Sequence, residues 1–502
     1  MRYKALIFFL LCYSAPYRGW ASGYYDYDEN CRLAYINFMS LHFEEGNDHI
    51  LAEKKANPGN LLAEYISDYA DCIPLLMNCD ADEYKLRAAH FDDRVKTLEK
   101  GDRNSPWCRF CLAGIYLHKA IVNTRFGEQY HAALNFRKSF TLLEENEHLF
   151  PDFEYNRVFT GLEEAVVGAL PGNYKWLASV FGLKGNITKG TALLAAFVNR
   201  HTSAQPIYAE AVLYYAFTRF YLLSEQKETW ALLNSPAFST QSNLLNTFVK
   251  VNIALDYHKS DAAIETLRAA ASSPEYGKYP IFNYQFGCAL LTRLDTMCTN
   301  YFYSYQQKTK SGLYIKDAWQ KMAFGWYANG NDAKATYCMN QVITRGGTKL
   351  DADKQALRFA KIKTWPQKNI LQARLLIDGG YNDQAITILN SIAVCEIKFP
   401  GDKAEYYFRL GRAYQARYDD SGRKENFVSA INNYADASAT GKGRPEQYAA
   451  RAALQEGKMF EQIGMNKEAL NKYHECLDMP AHDFQNSIDQ QAKAGINRIG
   501  SQ

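Results

Sequence analysis

Small side chains recur through the C-terminal half of this chain at the spacing where two antiparallel helices must touch. Ala335, Ala385, Ala430 and Ala469 each stand four residues before a large side chain: Met339, Leu389, Tyr434 and Tyr473. A second set precedes each of them: Trp319, Met322, Ala323 and Trp326; then Ala373 and Leu376; then Tyr407, Leu410, Gly411 and Tyr414; then Gly457 and Phe460. Residues three and four apart share one helix face. A small residue there lets a partner helix approach until ridges mesh with grooves. Turn signals fall between the two sets, at Gly330-Asn331 and Gly379-Gly380. A weaker pair reads Val251, Ala254, Ala263, Leu267 and Ala270. Strand-like alternation is hard to find, and Pro residues such as Pro58, Pro74, Pro106, Pro151, Pro206 and Pro366 stand where helices would end.

The pattern resembles the tetratricopeptide repeat (TPR), in which Leu-Gly and Tyr mark the first helix, and Ala, an aromatic and Ala mark the second. The resemblance implies an all-α fold, a TPR-like superhelical solenoid of antiparallel helix pairs that binds proteins on a concave surface. The four second-helix alanines are 50, 45 and 39 residues apart, whereas a regular array repeats at about 34. Variable linkers, including a loop around Ser421 to Glu425, are expected to take up the difference.

The N-terminal half reads as less regular helices, over Cys31–Glu53, Leu61–Met77, Pro106–Arg125, Glu128–Asn146 and Phe153–Ala169. It leads into Gly161-Leu-Glu-Glu-Ala-Val-Val-Gly-Ala-Leu-Pro171, then Tyr174, Trp176, Leu177, Phe181-Gly182-Leu183-Lys184-Gly185-Asn186 and Gly190. This stretch resembles a segment of the Iml2 and tetratricopeptide-repeat-39 family, whose members are interaction proteins without known catalytic motifs. In physical terms, Pro171 opens a helix, and Gly182 and Gly185 permit a tight reversal with close helix approach.

The first residues read as an export signal. Arg2 and Lys4 precede an apolar run, Ala5 to Ala15, and Gly19, Ala21, Ser22 and Gly23 supply small residues for cleavage. Leu11 before Cys12 is too large for a lipoprotein cleavage box. The most apolar later stretch, Ala211 to Leu223, is interrupted by Arg219, so no integral membrane segment is expected after signal removal. The expected organisation is a signal at 1–22, an N-terminal helical region at 23–160, a middle region at 161–300 and TPR-like repeats at 301–502. An exported protein is expected, in the periplasm of a Gram-negative bacterium first, with a secreted or envelope-associated one as the alternative.

Composition limits the partners. Across 502 residues the formal net charge is +3, and no long Lys/Arg run occurs, so nucleic acid is not an expected partner. Ten cysteines remain after the signal, scattered enough that most read as small buried hydrophobes. Cys108 and Cys111 form a C-x-x-C without a second pair; burial is the plainer reading, and a local disulfide or a metal stay open. Gly185 to Thr191 lacks the order of a phosphate loop, and no H-E-x-x-H or G-x-S-x-G occurs. No catalytic, cofactor or metal site is expected. The expected function is a non-catalytic scaffold for a protein or peptide; a glycan or small-molecule binder of an envelope uptake system is the alternative. Exposed polar residues of first helices are the candidates for partner contact: Lys321, Arg409, Arg412, Gln415 and Lys458.

Overall fold

A computed structural model describes residues 23–170, 182–479 and 481–500. The expected signal at 1–22, Pro480, and Pro171, Tyr174, Trp176, Leu177 and Phe181 of the Iml2-like stretch lie outside the described residues. Among the described residues the chain is all-α, and extended pairing is confined to two isolated bridges, Gly23 with Gly101 and Tyr24 with Asn60. None of these helices is long and apolar enough to cross a membrane. The chain divides into two compact units: one of residues 1–73, 85–124 and 128–215, the other of 74–84, 125–127 and 216–502.

The first ten helices are Glu29–Met39 (α1), Phe43–Ala56 (α2), Leu62–Ser67 (α3), Tyr69–Asn78 (α4), Ala81–Leu98 (α5), Pro106–Phe126 (α6), Gln129–Leu149 (α7), Asn156–Gly168 (α8), Ile187–Arg200 (α9) and Tyr208–Phe217 (α10), and they form the first unit apart from the parts of α4, α5, α6 and α10 that fall in the second. Two expected helices are each split. Leu41 adopts φ +67° between α1 and α2, and Asp68 separates α3 from α4. Pro74 lies inside α4 rather than at a helix end, and Pro106 begins α6. Gly161, Gly168, Gly185 and Gly190 of the Iml2-like stretch sit where backbones meet, whereas Gly182 adopts φ +64° with nothing within 4 Å of a Cβ, so it serves the turn and not a close approach. A Cβ at Gly190 would lie 2.4 Å from the Gly161 carbonyl oxygen, and one at Gly185 would lie 2.4 Å from that of Glu164. Only glycine allows α8 and α9 to cross so closely.

The second unit continues with Gln226–Leu233 (α11), Leu244–Asp256 (α12), Ser260–Ala270 (α13), Ile281–Thr292 (α14), Cys298–Lys308 (α15), Ile315–Ala328 (α16), Asp332–Thr344 (α17), Asp351–Ile362 (α18), Lys368–Gly379 (α19), Asn382–Asn390 (α20), Pro400–Ser421 (α21), Lys424–Gly441 (α22), Tyr448–Gln462 (α23), Asn466–Leu477 (α24) and Gln485–Gly500 (α25). Consecutive helices pack as antiparallel pairs, α12 with α13, α14 with α15, α16 with α17, α19 with α20, α21 with α22 and α23 with α24, and neighbouring pairs touch. This is a TPR-like solenoid. The second-helix alanines Ala263, Ala335, Ala385, Ala430 and Ala469 are all fully buried. A Cβ at Gly411 would stand 2.6 Å from the Tyr434 ring, and one at Gly287 would stand 2.8 Å from the Phe302 ring.

The irregular spacing has a different origin from the expected loops. An extra helix, α18, lies between Ala335 and Ala385, and it is fastened through Asp353. The Asp353 carboxylate accepts from the N–H groups of Tyr314 (2.9 Å), Lys316 (2.9 Å) and Asp317 (3.1 Å), capping the start of α16. The Lys316 ammonium in turn donates to the Val342 and Arg345 carbonyls at the end of α17, at 2.6 and 2.9 Å. Between Ala385 and Ala430 the extra length is mostly helix: α21 has 22 residues and α22 has 18. The expected loop at Ser421 to Glu425 shrinks to Gly422 and Arg423.

Candidate functional site

The five candidate residues lie on three first helices of the second unit, α16, α21 and α23, and their surroundings sort them. Lys321 on α16 is neutralised one turn back by Asp317, with Nζ 2.5 and 2.6 Å from the two carboxylate oxygens. Tyr284 on α14 donates to the same carboxylate at 2.6 Å. Arg409 on α21 is held by Glu405, with Nε and Nη2 at 3.0 and 2.8 Å from Oε1. Gln415 accepts from the Tyr434 hydroxyl at 2.5 Å, so it ties the two helices of one pair together. Arg412 and Lys458 are in a different state. Neither has a carboxylate within ion-pair distance among the described residues, and the Lys458 ammonium donates to the Gln491 amide oxygen at 2.8 Å.

These cations lie close enough to act on one another. Burial, together with Arg412, Arg498 and Arg451, pushes the Lys458 ammonium down to about 8. Arg451 on α23 is held below the usual guanidinium range by burial and by Arg409, Arg412 and Arg374. Its guanidinium lies 5.7 Å from the centroid of the Phe484 ring. Arg374 on α19 lies 5.8 Å from the Phe324 ring centroid, and its nearest acid, Asp378, is at 4.0 Å. The structure therefore brings Arg409, Arg412 and Lys458 into one cationic group with Arg374 and Arg451, which sequence reasoning missed. Like charges cost energy when crowded and partly desolvated. Glu405 offsets Arg409 and Asp378 lies at 4.0 Å from Arg374, so the surplus of positive charge rests on Arg412, Arg451 and Lys458.

A positional signal for it was present. Arg374, Arg412 and Lys458 each immediately follow the small residue of their first helix: Ala373, Gly411 and Gly457. In the two preceding pairs the same position holds Cys288, after Gly287, and Phe324, after Ala323. One repeat position therefore changes from uncharged to cationic along the array.

The first unit holds two further polar centres. His118 is 2% exposed and lies between two buried carboxylates, with Nδ1 2.8 Å from Asp68 and Nε2 2.9 Å from Glu210. Tyr69 donates to Glu210 at 2.5 Å, Tyr214 also bonds it, and Arg94 reaches Asp68 at 3.1 Å and Asp71 at 2.5 Å. Burial opposes the imidazolium, but Glu210 and Asp68 outweigh it and raise its pKa to about 10. The cluster is satisfied on all sides and joins helices distant in sequence. Asp28, Cys31 and Glu53 also converge, with ligand atoms within 4.8 Å of one another. Asp28 caps α1 there, and Glu53 accepts from the amides of Asn30, Asn57 and Asn60 at 3.3, 3.3 and 2.9 Å. Both read as structural junctions. Cys108 and Cys111 are buried, as are six other cysteines of the ten, with Cys288 half-buried and Cys395 exposed.

No family model matches this sequence, and no curated protein matches it either. The crystal structure of yeast Tom70 aligns over 91% of this chain and 96% of that one, at 14% identity and a TM-score of 0.20. At that score the alignment carries no argument, and the fold rests on the chain's own packing. Nothing in these comparisons bears on the Iml2-like stretch.

Proposed function

We propose that this chain is a non-catalytic interaction scaffold, and that the first-helix face of its C-terminal pairs receives an acidic segment of a partner protein. One observation carries the reading: Arg374, Arg412 and Lys458 occupy the same position in three successive pairs, Arg412 and Lys458 without a carboxylate within ion-pair distance among the described residues and Arg374 with Asp378 at 4.0 Å. A helical-pair array offers an extended surface to a peptide, and a row of cations with so little carboxylate beside it selects an anionic one. The extracytoplasmic setting belongs to the same proposal and rests on the signal-like residues at the start of the chain.

Fluorescence anisotropy with a labelled oligoglutamate peptide, against an oligolysine peptide of equal length, tests the proposal. The acidic peptide is expected to bind, to weaken as salt rises, and to lose at least about tenfold in affinity in the Arg412→Ala/Lys458→Ala variant. Equal binding of both peptides, or an unaffected double variant, overturns it.

A further inference from the structure

The first unit contains a cleft of about 360 Å³ between the outer surfaces of α6 and α7 and the turn that follows α5. Pockets of this size take small ligands rather than peptides. Its walls are of two kinds. Leu112 and Leu142 make an apolar floor beside the buried Cys108, and the Tyr116 ring stands at one side. Around them are Arg103, Arg109, Arg137 and Lys138.

The charges in the cleft do not balance. Glu99 and Glu145 are its acids. Glu145 is engaged by Arg109 at 3.5 Å, and Arg109 also donates to the Arg103 carbonyl at 2.7 Å, which fixes the guanidinium at the cleft wall. Arg137 and Lys138 have no carboxylate within ion-pair distance among the described residues; they rest on aromatic faces instead. The Lys138 ammonium is 4.8 Å from the Tyr116 ring centroid, and the Arg137 guanidinium is 5.9 Å from that of Phe140. Four cations against two carboxylates leave a surplus of two positive charges around an apolar floor.

We infer that this cleft is a binding site for a small organic dianion with an apolar body, an aryl phosphate or aryl dicarboxylate. Arginine forks match the paired oxygens of either head group. The aryl body would displace water from Leu112 and Leu142, and two negative charges would meet the surplus. The inference is independent of the peptide-binding proposal, because the cleft belongs to a different compact unit.

Isothermal titration of the full chain at low salt tests it with four probes: phenyl phosphate, phthalate, inorganic phosphate and benzyl alcohol. One of the two aryl dianions is expected to bind saturably and more tightly than inorganic phosphate, and benzyl alcohol is expected not to bind. Which aryl dianion wins identifies the head group. Arg137→Ala/Lys138→Ala is expected to weaken binding at least about tenfold, and Arg103→Ala, in an exposed turn, to weaken it without touching a helix. Circular dichroism verifies that both variants keep their helices. Binding of neither aryl dianion, inorganic phosphate binding as tightly as they do, or undiminished binding by both variants overturns the inference.

Discussion

Gly457 lies directly beneath the ring of Tyr473, so close that a Cβ there would stand 2.6 Å from Cε1. The opposite side of the ring meets Gly495 on the last helix, where a Cβ would stand 2.4 Å away. The Tyr473 hydroxyl is tied to Glu461. The ring is thus enclosed by three helices and has no direction in which to yield. Gly457→Ala is expected to destabilise the chain by about 1–3 kcal/mol through overpacking. Gly277→Ala, where a Cβ would meet nothing within 4 Å, serves as the control. Chemical denaturation compares the two. Equal midpoints would remove the close-contact account of the repeat.

The His118 cluster makes stability depend on pH in a defined direction. The folded chain holds the imidazolium proton up to about 10, whereas an unfolded histidine releases it near 6.5. Its contribution is complete below about pH 6.5 and is lost as pH rises through about 10. His118→Leu leaves the buried Glu210 without a cation and Asp68 with Arg94 alone, and is expected to cost about 3–5 kcal/mol at neutral pH. Urea midpoints at about pH 7 and about pH 10 should converge between variant and wild type. A constant difference would refute the coupling.

Glu163 acts with the same sign from another place. Burial, with Glu144 adding to it and the Ser139 hydroxyl opposing, pushes its carboxyl up to about 8. Its Oε1 has no hydrogen-bond partner among the described residues. An unfolded glutamate loses its proton near 4.3, so the native state becomes less stable as pH rises from there toward about 8. Glu163→Gln keeps the group neutral and is expected to raise stability by about 1–3 kcal/mol at about pH 8. The gain should vanish in acid. A variant less stable than wild type at that pH would show that the carboxylate form is accommodated.

Acidic-peptide binding carries its own pH signature. The Lys458 ammonium sits at about 8, so the site loses a charge as pH passes that value. Affinity for oligoglutamate is expected to fall between about pH 7 and about pH 9, with proton uptake on binding over that same range. Lys458→Arg, always charged, should flatten the profile. A wild-type profile already flat would place Lys458 outside the contact.

The repeat was legible because side-chain volume is a local requirement: Ala335, Ala385, Ala430 and Ala469 leave no room for anything larger. The pair α14 and α15 was not read, because the position of its template alanine is held by Cys298, four residues before Phe302 and fully buried. Spacing misled where helices lengthened, since the sequence around Ser421 looks like a loop while its neighbours extend the helices up to it. The His118 cluster was invisible for a different reason. Its partners Asp68 and Glu210 lie 50 and 92 residues away, and no local pattern announces such a meeting. Arg374 and Arg451 needed register as well as charge: Arg374 was readable by aligning the residue after each small one, while Arg451 is placed only by its neighbours.

A ladder with one positive rung per helix pair makes ligand length matter. A short anion engages a single rung and gains little. A chain that reaches from Arg374 past Arg412 to Lys458 makes its second and third contacts at high effective concentration, because the first has already tethered it. Discrimination of this kind works as a ruler, selecting for how far acidity extends along a partner rather than for any single residue in it.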